Sequence, residues 1–362
     1  MLILKIFLIT LSYLPLSKSL ASLDSILSIG NSEKRSLGVS DKSLSNPLST
    51  VKTDFSKRIT NGTPSSISEF PYAVSILVDL GSVEVHCSGS LITPNLVLSS
   101  AICFWDLNFQ KEAKISQIYV KLGSNQIIKK KNSTYKVAKL VRHPKASIFN
   151  PFNNLALLFL DKKVPSDVAL PADVYTGNIT EGLKTRTCGW GVTSRDIKIS
   201  NDQVYSPTLN YIDINISSPE KCKKFIEYYE QEPEDFICSL NINNQGICIG
   251  DIGGPLSTIE NGVSKLVGVI STIGMQLGNS KELLLSDIAC GKEGDGALYM
   301  NVNQFSDWIE EETKKFGSEF PTINTNNEIK KSVAPKSLKL NKINFLNFAI
   351  YFLLVKAIVL FL

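Results

Sequence analysis

Histidine is scarce in this 362-residue sequence, which contains only His86 and His143. A mechanism that uses a histidine must therefore use one of these two residues. The seven cysteines include no Cys-x-x-Cys pair, so neither a zinc ribbon nor a redox motif is indicated. The net charge of +4 is small and the basic residues are scattered, which argues against a nucleic-acid partner. We predict no metal and no cofactor.

Long apolar runs occur only at the two ends of the chain, and residues 1–21 at the amino end are predicted to be a signal peptide. Lys5 precedes an apolar stretch from Ile6 to Leu16, and Ser19 and Ala21 are small residues at the −3 and −1 positions of a cleavage site. The alternative is an N-terminal anchor helix, which is disfavoured because the apolar run is too short to span a bilayer.

Residues 343–362 form the second apolar run, which contains Lys356. Residues 317–342 upstream are predicted to be a polar stalk, and the lysines in it would lie outside the cell if the tail remained as a membrane span. That arrangement opposes the positive-inside tendency. A glycosylphosphatidylinositol (GPI) signal avoids the conflict because the tail is removed, and Ser332 is the candidate attachment residue. A retained span and a tail with neither role are the alternatives.

Residues 22–58 are rich in serine and contain two dibasic pairs, Lys34-Arg35 and Lys57-Arg58. A propeptide fits this pattern best, and the alternative is a disordered linker with incidental basic pairs. The cysteines and four Asn-x-Ser/Thr sequons agree with a secreted, glycosylated chain. The sequons begin at Asn61, Asn132, Asn178 and Asn215.

From Ile59 onwards the sequence has the pattern of an all-β protein. Short runs rich in β-branched residues, such as Tyr72–Val78, Gln117–Leu122 and Lys265–Ile270, are separated by clusters of Gly, Pro, Asn and Ser. Near the end of this region, an apolar face at helical spacing predicts one helix. Its residues are Val302, Phe305, Trp308 and Ile309.

Seven motifs occur in a fixed order between Arg58 and Ile309. They are Arg58–Gly62, Glu69–Tyr72, Cys87–Ile92, Ser99–Cys103, Asn154–Leu158, Cys188–Gly191 and Cys248–Leu256. In this order they resemble the trypsin-like serine proteases (peptidase S1) of the chymotrypsin fold. The resemblance implies an all-β domain over residues 59–316, with two packed six-stranded antiparallel β-barrels and a C-terminal helix.

The resemblance also identifies three positions that hold the catalytic triad in that family, where a serine attacks, a histidine takes its proton and an aspartate orients the histidine. The histidine position, directly before Cys103, is Ile102 here, the aspartate position is Asn154, and the serine position is Ile252. Isoleucine has no lone pair to attack with and no site that accepts a proton. Neither His86 nor His143 matches the histidine position, so we interpret both as structural or surface residues.

The substrate pocket of the family is also altered in this sequence. The residue at the pocket base is Gly246, so the acidic residue of trypsin is absent, and the wall motif is Ser271-Thr272-Ile273. The link from Ser271 to Cys290 is longer than is usual in the family and includes Leu283–Leu285. We expect either a loop that covers its own apolar face or a new surface there.

The resemblance implies the disulfides Cys87–Cys103, Cys222–Cys238 and Cys248–Cys290. It places Thr258 where a partner of Cys188 would lie, so Cys188 is expected to be a free thiol, buried or paired with another molecule.

The resemblance also implies an activation switch. Cleavage after Arg58 would free the α-amino group of Ile59, which pairs with the carboxylate at Asp251 in that family. The pair is either a working switch that now controls binding or a relic.

The acidic and aromatic segment Phe225–Phe236 is either a solvated helix or a docking patch for a basic partner.

These residues predict a secreted, surface-anchored homologue of serine proteases without peptidase activity, which acts as a protein-binding or regulatory module. Its protein partner is unidentified, with an active protease or a surface receptor as candidates, and the anchor provides its contact with the membrane. The alternatives are an enzyme that uses non-family chemistry and an inert displayed surface protein.

Overall fold

The computed structural model of the chain describes residues 62–81, 83–106, 111–148, 151–192, 205–225, 233–275, 290–293 and 295–317. The predicted signal peptide, propeptide and hydrophobic tail lie outside the described residues, as does the stalk apart from Gly317. So do several single positions and segments to which we assigned a role. They are Arg58, Ile59, Asn61, Leu283–Leu285, Ser332 and residues 226–232.

Sixteen strands form within the described residues. In chain order they are β1 (Thr63–Pro64), β2 (Ala73–Asp79), β3 (Glu84–Thr93), β4 (Leu96–Ser99), β5 (Trp105–Asp106), β6 (Lys111–Glu112), β7 (Ile118–Lys121), β8 (Tyr135–Arg142), β9 (Ala156–Leu160), β10 (Asp173–Val174), β11 (Lys184–Gly189), β12 (Asn210–Asn215), β13 (Phe236–Leu240), β14 (Pro255–Glu260), β15 (Val263–Met275) and β16 (Gly296–Asn301). The three apolar runs named from the sequence correspond to β2, β7 and part of β15.

The first barrel is closed. Its six antiparallel strands pair in the order β2-β3-β4-β9-β8-β7, and β7 pairs with β2 to complete the circle. The inward-facing side chains are almost entirely apolar, and β9 is buried along its whole length. A strand buried on both faces reads as a continuous apolar run, which is the pattern of Ala156–Leu160.

The second sheet contains eight strands, in the order β1-β12-β11-β14-β15-β16-β13, with β10 added in parallel beside β15. The chain just after β12 meets β13 at an isolated bridge between Ile216 and Ser239, where the Ser217 N–H donates to the carbonyl of Cys238 at 2.9 Å. Pairing stops there because the chain enters a helix at Pro219. The predicted all-β fold is therefore confirmed, although the second barrel closes through this single bridge instead of a full ladder.

The structure contains the three disulfides that the resemblance implies. They join Cys87 to Cys103, Cys222 to Cys238 and Cys248 to Cys290, and they are consistent with an extracellular location.

Cys188 is a buried free thiol. Burial raises the pKa of this thiol well above its ordinary value, and the nearby Asp251 adds to the effect, so the thiol is protonated and unreactive at neutral pH.

The reason given from the sequence for the unpaired Cys188 is wrong. In the β11–β14 ladder, Leu256 pairs with Thr187 and Ser257 pairs with Arg186, so Thr258 reaches the strand near Thr185. Its hydroxyl accordingly donates to the carbonyl of Lys184 at 2.8 Å. Cys188 therefore lies about 10 Å further along the strand, at roughly 3.3 Å per residue, and is not the remaining half of a bridge to Thr258.

Two helices are described, α1 (Pro219–Phe225) and α2 (Ser306–Lys315). No helix among the described residues is long and apolar enough to cross a membrane. The predicted C-terminal helix is confirmed, with its start at Ser306, because Val302–Phe305 form a 3-10 turn first. Ile309 is fully buried against the core, and Trp308 packs beside it in a half-buried position.

We expect Ile309→Ala to lower the free energy of unfolding by about 3 kcal/mol, because it removes a fully buried side chain and leaves a cavity. Denaturant unfolding of the full chain measures the change. Glu311→Ala on the exposed face of the same helix is the control, with an expected loss of about 0.5 kcal/mol from its pair with Lys315. Equal losses in the two variants would contradict the docking of α2.

Candidate functional site at the junction of the two sheets

The structure brings Ile102, Asn154 and Ile252 together between the two sheets. Ile102 lies in a 3-10 turn that follows β4, Asn154 lies two residues before the buried strand β9, and Ile252 lies in the turn before β14. The Ile102 N–H donates to Oδ1 of Asn154 at 2.9 Å. The Sγ atom of Cys103, the neighbour of Ile102, lies 3.7 Å from the carbonyl oxygen of Ile252. The three sequence positions thus share one small region.

The buried carboxamide of Asn154 uses both its acceptor and its donor. Its Oδ1 accepts from Ile102, while its Nδ2 donates to the carbonyl of Ser271 at 3.2 Å and to the hydroxyl of Ser271 at 3.0 Å. A carboxylate has no hydrogen to donate to the Ser271 carbonyl. The local hydrogen bonding therefore specifies asparagine at position 154.

The side chains of Ile102 and Ile252 are half-buried, and Ile252 contacts the apolar cores of both sheets. A saturated hydrocarbon side chain can fill space between the sheets, but it can neither attack a carbonyl carbon nor accept a proton. The polar chemistry of this junction therefore resides in Asn154, Ser271 and the backbone.

A set of buried hydrogen bonds, which we call the buried seam, joins the first barrel to the second sheet. The Ser88 N–H donates to the carbonyl of Ile252 at 2.9 Å, and the Ser88 hydroxyl donates to the carbonyl of Gly250 at 2.9 Å. The Ser100 hydroxyl donates to the carbonyl of Ile270 at 2.7 Å. Together with the bonds from Asn154 to Ser271, these contacts hold the turn before β14 against β3 and β4.

The two histidines pack against aromatic rings and are not members of the buried seam. The ring centroid of His86 lies 4.4 Å from that of Tyr205, and burial lowers the pKa of His86. The ring of His143 lies 4.8 Å from Trp308, and burial, with Lys145 nearby, lowers its pKa to about 4. Both imidazoles are therefore predominantly neutral at pH 7.

Asp251 is a fully buried carboxyl beside this junction. Its Oδ1 accepts from the Gly191 N–H at 2.8 Å and its Oδ2 from the Cys248 N–H at 2.9 Å. Burial raises its pKa to about 7, because these two hydrogen bonds offset only part of the desolvation of the charged form. No ion pair of Asp251 is found within the described residues, which do not include Ile59.

Glycine is required around the Asp251 carboxyl. A Cβ atom at Gly189 would lie 2.2 Å from Oδ1 of Asp251, and a Cβ atom at Gly191 would lie 2.4 Å from Oδ2. Both distances are far shorter than any van der Waals contact. The two glycines of the Cys188–Gly191 motif therefore form the walls of the carboxyl's pocket.

Gly246, which the resemblance places at the base of the substrate pocket, has crowded surroundings. A Cβ atom at Gly246 would lie 2.7 Å from the Cα of Gly291 and 2.8 Å from Oδ1 of Asn241. The buried Asn241 side chain also donates to the carbonyl of Lys292 at 3.2 Å. An acidic side chain at position 246 would therefore not fit without movement of the backbone. Most of the long link to Cys290, residues 276–289, lies outside the described residues.

Three of the four predicted glycosylation sites are described. Asn178 and Asn215 are exposed, as glycosylation requires, whereas Asn132 is half-buried. The Oδ1 of Asn132 accepts from the Lys129 N–H at 2.6 Å.

Sequence reasoning missed several groups of this site. Ser88 and Ser100 had no recognisable signal beyond their places in the Cys87–Ile92 and Ser99–Cys103 motifs. Tyr205 had none either, because contact between a tyrosine and a histidine more than a hundred residues away requires the folded chain. A Cβ atom at Gly250 would lie 2.9 Å from the Tyr205 ring, so this ring covers the turn before β14.

We expect Asn154→Asp to lower the free energy of unfolding by about 2 kcal/mol at pH 7, because the carboxylate faces the Ser271 carbonyl without a proton to donate. The loss should shrink at acidic pH, where the new carboxyl becomes protonated. Denaturant unfolding at the two pH values measures this. Asn153→Asp, at the preceding half-buried residue, makes the same chemical change outside these bonds and should have little effect.

The raised pKa of Asp251 makes stability depend on pH. Between about pH 4 and pH 7 the folded chain keeps a proton on Asp251 that the unfolded chain has released, so stability falls as pH rises through this range. The loss is on the order of 4 kcal/mol, from 1.36 kcal/mol per pKa unit. We expect Asp251→Asn to remove this slope and exposed Asp173→Asn to keep it, as measured by thermal unfolding of the uncleaved chain. Equal slopes in all three proteins would contradict the assignment.

Comparison with known proteins agrees with the fold. The sequence profile of the Trypsin family matches residues 59–309. Human (Homo sapiens) kallikrein-7 is 26% identical over 264 residues, which cover 71% of this chain and 88% of that protein. CLIP domain-containing serine protease B14 of Anopheles gambiae is 26% identical over 290 residues, which cover 71% of this chain and 72% of that protein. Because the profile spans well over half of the chain, this protein belongs to the trypsin family.

Proposed function

We propose that this chain is an extracellular, membrane-anchored member of the trypsin family that lacks peptidase activity and acts as a protein-binding or regulatory module. The observation that carries the proposal is the junction of Ile102, Asn154 and Ile252. These residues stand at the family's histidine, aspartate and serine positions by the order of the motifs. The family mechanism needs a nucleophile, a base and an orienting carboxylate, and these side chains supply none of them.

The geometry at Asn154 supports a structural role for this junction. Its carboxamide bonds to the Ile102 backbone and to Ser271, so its donors and acceptor are already engaged within the protein. The loss of a triad serine or histidine lowers turnover by about a million-fold in a related mechanism, and here both positions hold isoleucine.

An enzyme with non-family chemistry is the alternative from another functional class. It would need a different nucleophile or base, and His86 and His143 are poor candidates because they pack against aromatic rings and burial lowers the pKa of each, which weakens them as bases. An inert displayed protein is the third possibility, which a specific partner would exclude.

The extracellular location is supported by the three disulfides. Residues 1–21 would direct secretion, and residues 343–362 would specify the anchor, with attachment at Ser332 in the GPI interpretation. A protein partner at the cell surface, such as an active protease or a receptor, is then the expected ligand class.

The buried Asp251 supports retention of the activation switch. An unpaired carboxyl in an apolar interior is costly in its charged form, and the freed α-amino group of Ile59 would supply the missing cation after cleavage at Arg58. In the proposed function, this pairing controls a binding surface instead of catalysis.

We expect no covalent labelling of the full chain by a fluorophosphonate probe, before or after proteolytic cleavage at Arg58, because the probe requires an activated serine. The triple variant Ile102→His, Asn154→Asp, Ile252→Ser is the matched control. It restores the family's histidine, aspartate and serine in the same fold. The probe should label this variant, provided that thermal unfolding shows that it folds. In this variant the introduced histidine gives the introduced carboxylate a hydrogen-bond donor, which the single change at position 154 lacks.

Labelling of the wild-type chain that disappears on heat denaturation would contradict the proposed inactivity. The switch has a separate readout, which is the pH dependence of thermal stability in cleaved and uncleaved chains. Pairing with the new amino group should lower the pKa of Asp251 and remove the fall in stability between pH 4 and pH 7. An unchanged slope after verified cleavage would show that the pair is a relic.

A further inference from the structure

A polar cleft of about 600 Å³ lies on the second sheet, and it shares no residue with the buried seam. Four separate segments build it, namely the loop after β10, the link from β12 to α1, the start of β13 and the turn after β16. The lining residues used below are Glu181, Glu234, Phe236, Asn301 and Asn178.

The charge of the cleft is of one sign. Glu181 and Glu234 contribute two carboxylates, whereas no lysine, arginine or histidine is found among the lining residues that the structure describes. Lys221 pairs with Glu181 from outside the lining, so Glu234 is the carboxylate without an ion pair within the described part of the chain. The other polar lining groups are carboxamides and hydroxyls. The cleft therefore favours a cationic ligand.

A buried acceptor in the lining lacks a donor. Asn301 is 8% exposed, and its Nδ2 donates to the backbone carbonyl of Glu234 at 3.0 Å. Its Oδ1 is buried and has no hydrogen-bond partner within the described residues. A buried polar atom without a partner carries a desolvation cost that a donor from a ligand would remove. The bond to Glu234 places this acceptor beside the backbone of the acidic residue.

We propose that this cleft binds the side chain of a lysine or arginine presented by a basic segment of a partner protein. The ammonium or guanidinium group pairs with the carboxylate of Glu234 and donates to Oδ1 of Asn301, which a turn of that buried side chain would bring to the cleft, whereas Glu181 is already paired with Lys221. A sugar is the less suitable ligand because the aromatic residue of the lining, Phe236, is buried and offers no exposed ring. The inference goes beyond the loss of catalysis and does not depend on it, because the cleft and the buried seam are separate.

Binding of a labelled peptide to the full chain tests the proposal by fluorescence anisotropy. The probe is acetyl-Gly-Arg-Gly-Arg-Gly-amide with a terminal fluorophore, and the same peptide with citrulline in place of arginine keeps the shape but removes the charge. We expect binding of the arginine peptide alone, weakened by salt. Glu234→Gln should reduce the affinity about two- to fivefold, which corresponds to the range for an exposed ion pair.

Glu260→Gln is the matched control, because Glu260 is an exposed glutamate on β14 that is not part of the cleft lining. It should leave the affinity unchanged. The Asn178→Gln background is measured in parallel, since Asn178 is a predicted glycosylation site in the lining and a glycan there would mask the cleft.

Equal binding of the citrulline peptide, or equal affinity in Glu234→Gln and wild-type chains, would overturn the proposal. So would the absence of peptide binding in the glycan-free background. Binding of a neutral N-acetylglucosamine oligomer in place of the peptide would assign the cleft to carbohydrate instead. The fluorophosphonate labelling is measured independently of peptide binding. Failure of the proposed binding cleft is therefore distinguishable from failure of the proposed inactivity.

Discussion

The buried seam between the first barrel and the second sheet is the constraint on which the rest of the structure depends. Two packed β-sheets can bury apolar faces in many registers, because the hydrophobic effect has no direction. Hydrogen bonds do have direction, and each buried donor needs its acceptor. The hydroxyls of Ser88 and Ser100 donate to carbonyls of the second sheet and so select one arrangement. Asn154 adds a third fixed point through Ser271.

The same seam explains how a junction can stay in place when its reactive groups are replaced. In the proposed function the side chains at positions 102 and 252 carry no chemistry, yet their backbones still take part in the hydrogen bonding. Removing one buried partner would leave another unsatisfied, at about 1–3 kcal/mol each. Packing therefore preserves this geometry independently of catalysis.

The buried carboxyl of Asp251 is a second constraint on the turn before β14. Its carboxyl is fully buried, and it needs Gly189 and Gly191 to make room for it. An apolar residue of similar volume would avoid the desolvation of a carboxylate, as replacements of buried ionic groups show in other proteins. The glycines and the carboxyl form one unit, so a change in any one of them requires changes in the others. Such mutual dependence maintains the unit whether it works as a switch or is a relic.

The sequence predicted those features that local patterns encode. Runs such as Tyr72–Val78 are apolar over the length of a strand. The apolar residues Phe305 and Ile309 have the spacing of one face of a helix. The three disulfides followed from motif order. The register of Thr258, which lies near Thr185 instead of Cys188, did not follow, because the register of a ladder is invisible in a single sequence. The cleft was equally inaccessible, since its lining comes from four segments that only the folded sheet brings together.

The separation of the cleft from the seam bears on how such a protein can recognise a partner. Gly246, at the expected base of the substrate pocket, has no room for a side chain. Recognition elsewhere on the surface is freer to change, because loops such as that after β10 carry few of the buried bonds that define the fold. Asn301 differs from the loop residues of the cleft, since it ends a strand, is buried and is bonded to Glu234. That bond fixes an acceptor beside an acidic residue on rigid strand ends, and a fixed acceptor binds a cation with less loss of conformational entropy than a flexible one. Binding specificity can therefore reside in the second sheet while the junction serves only to hold the two sheets together.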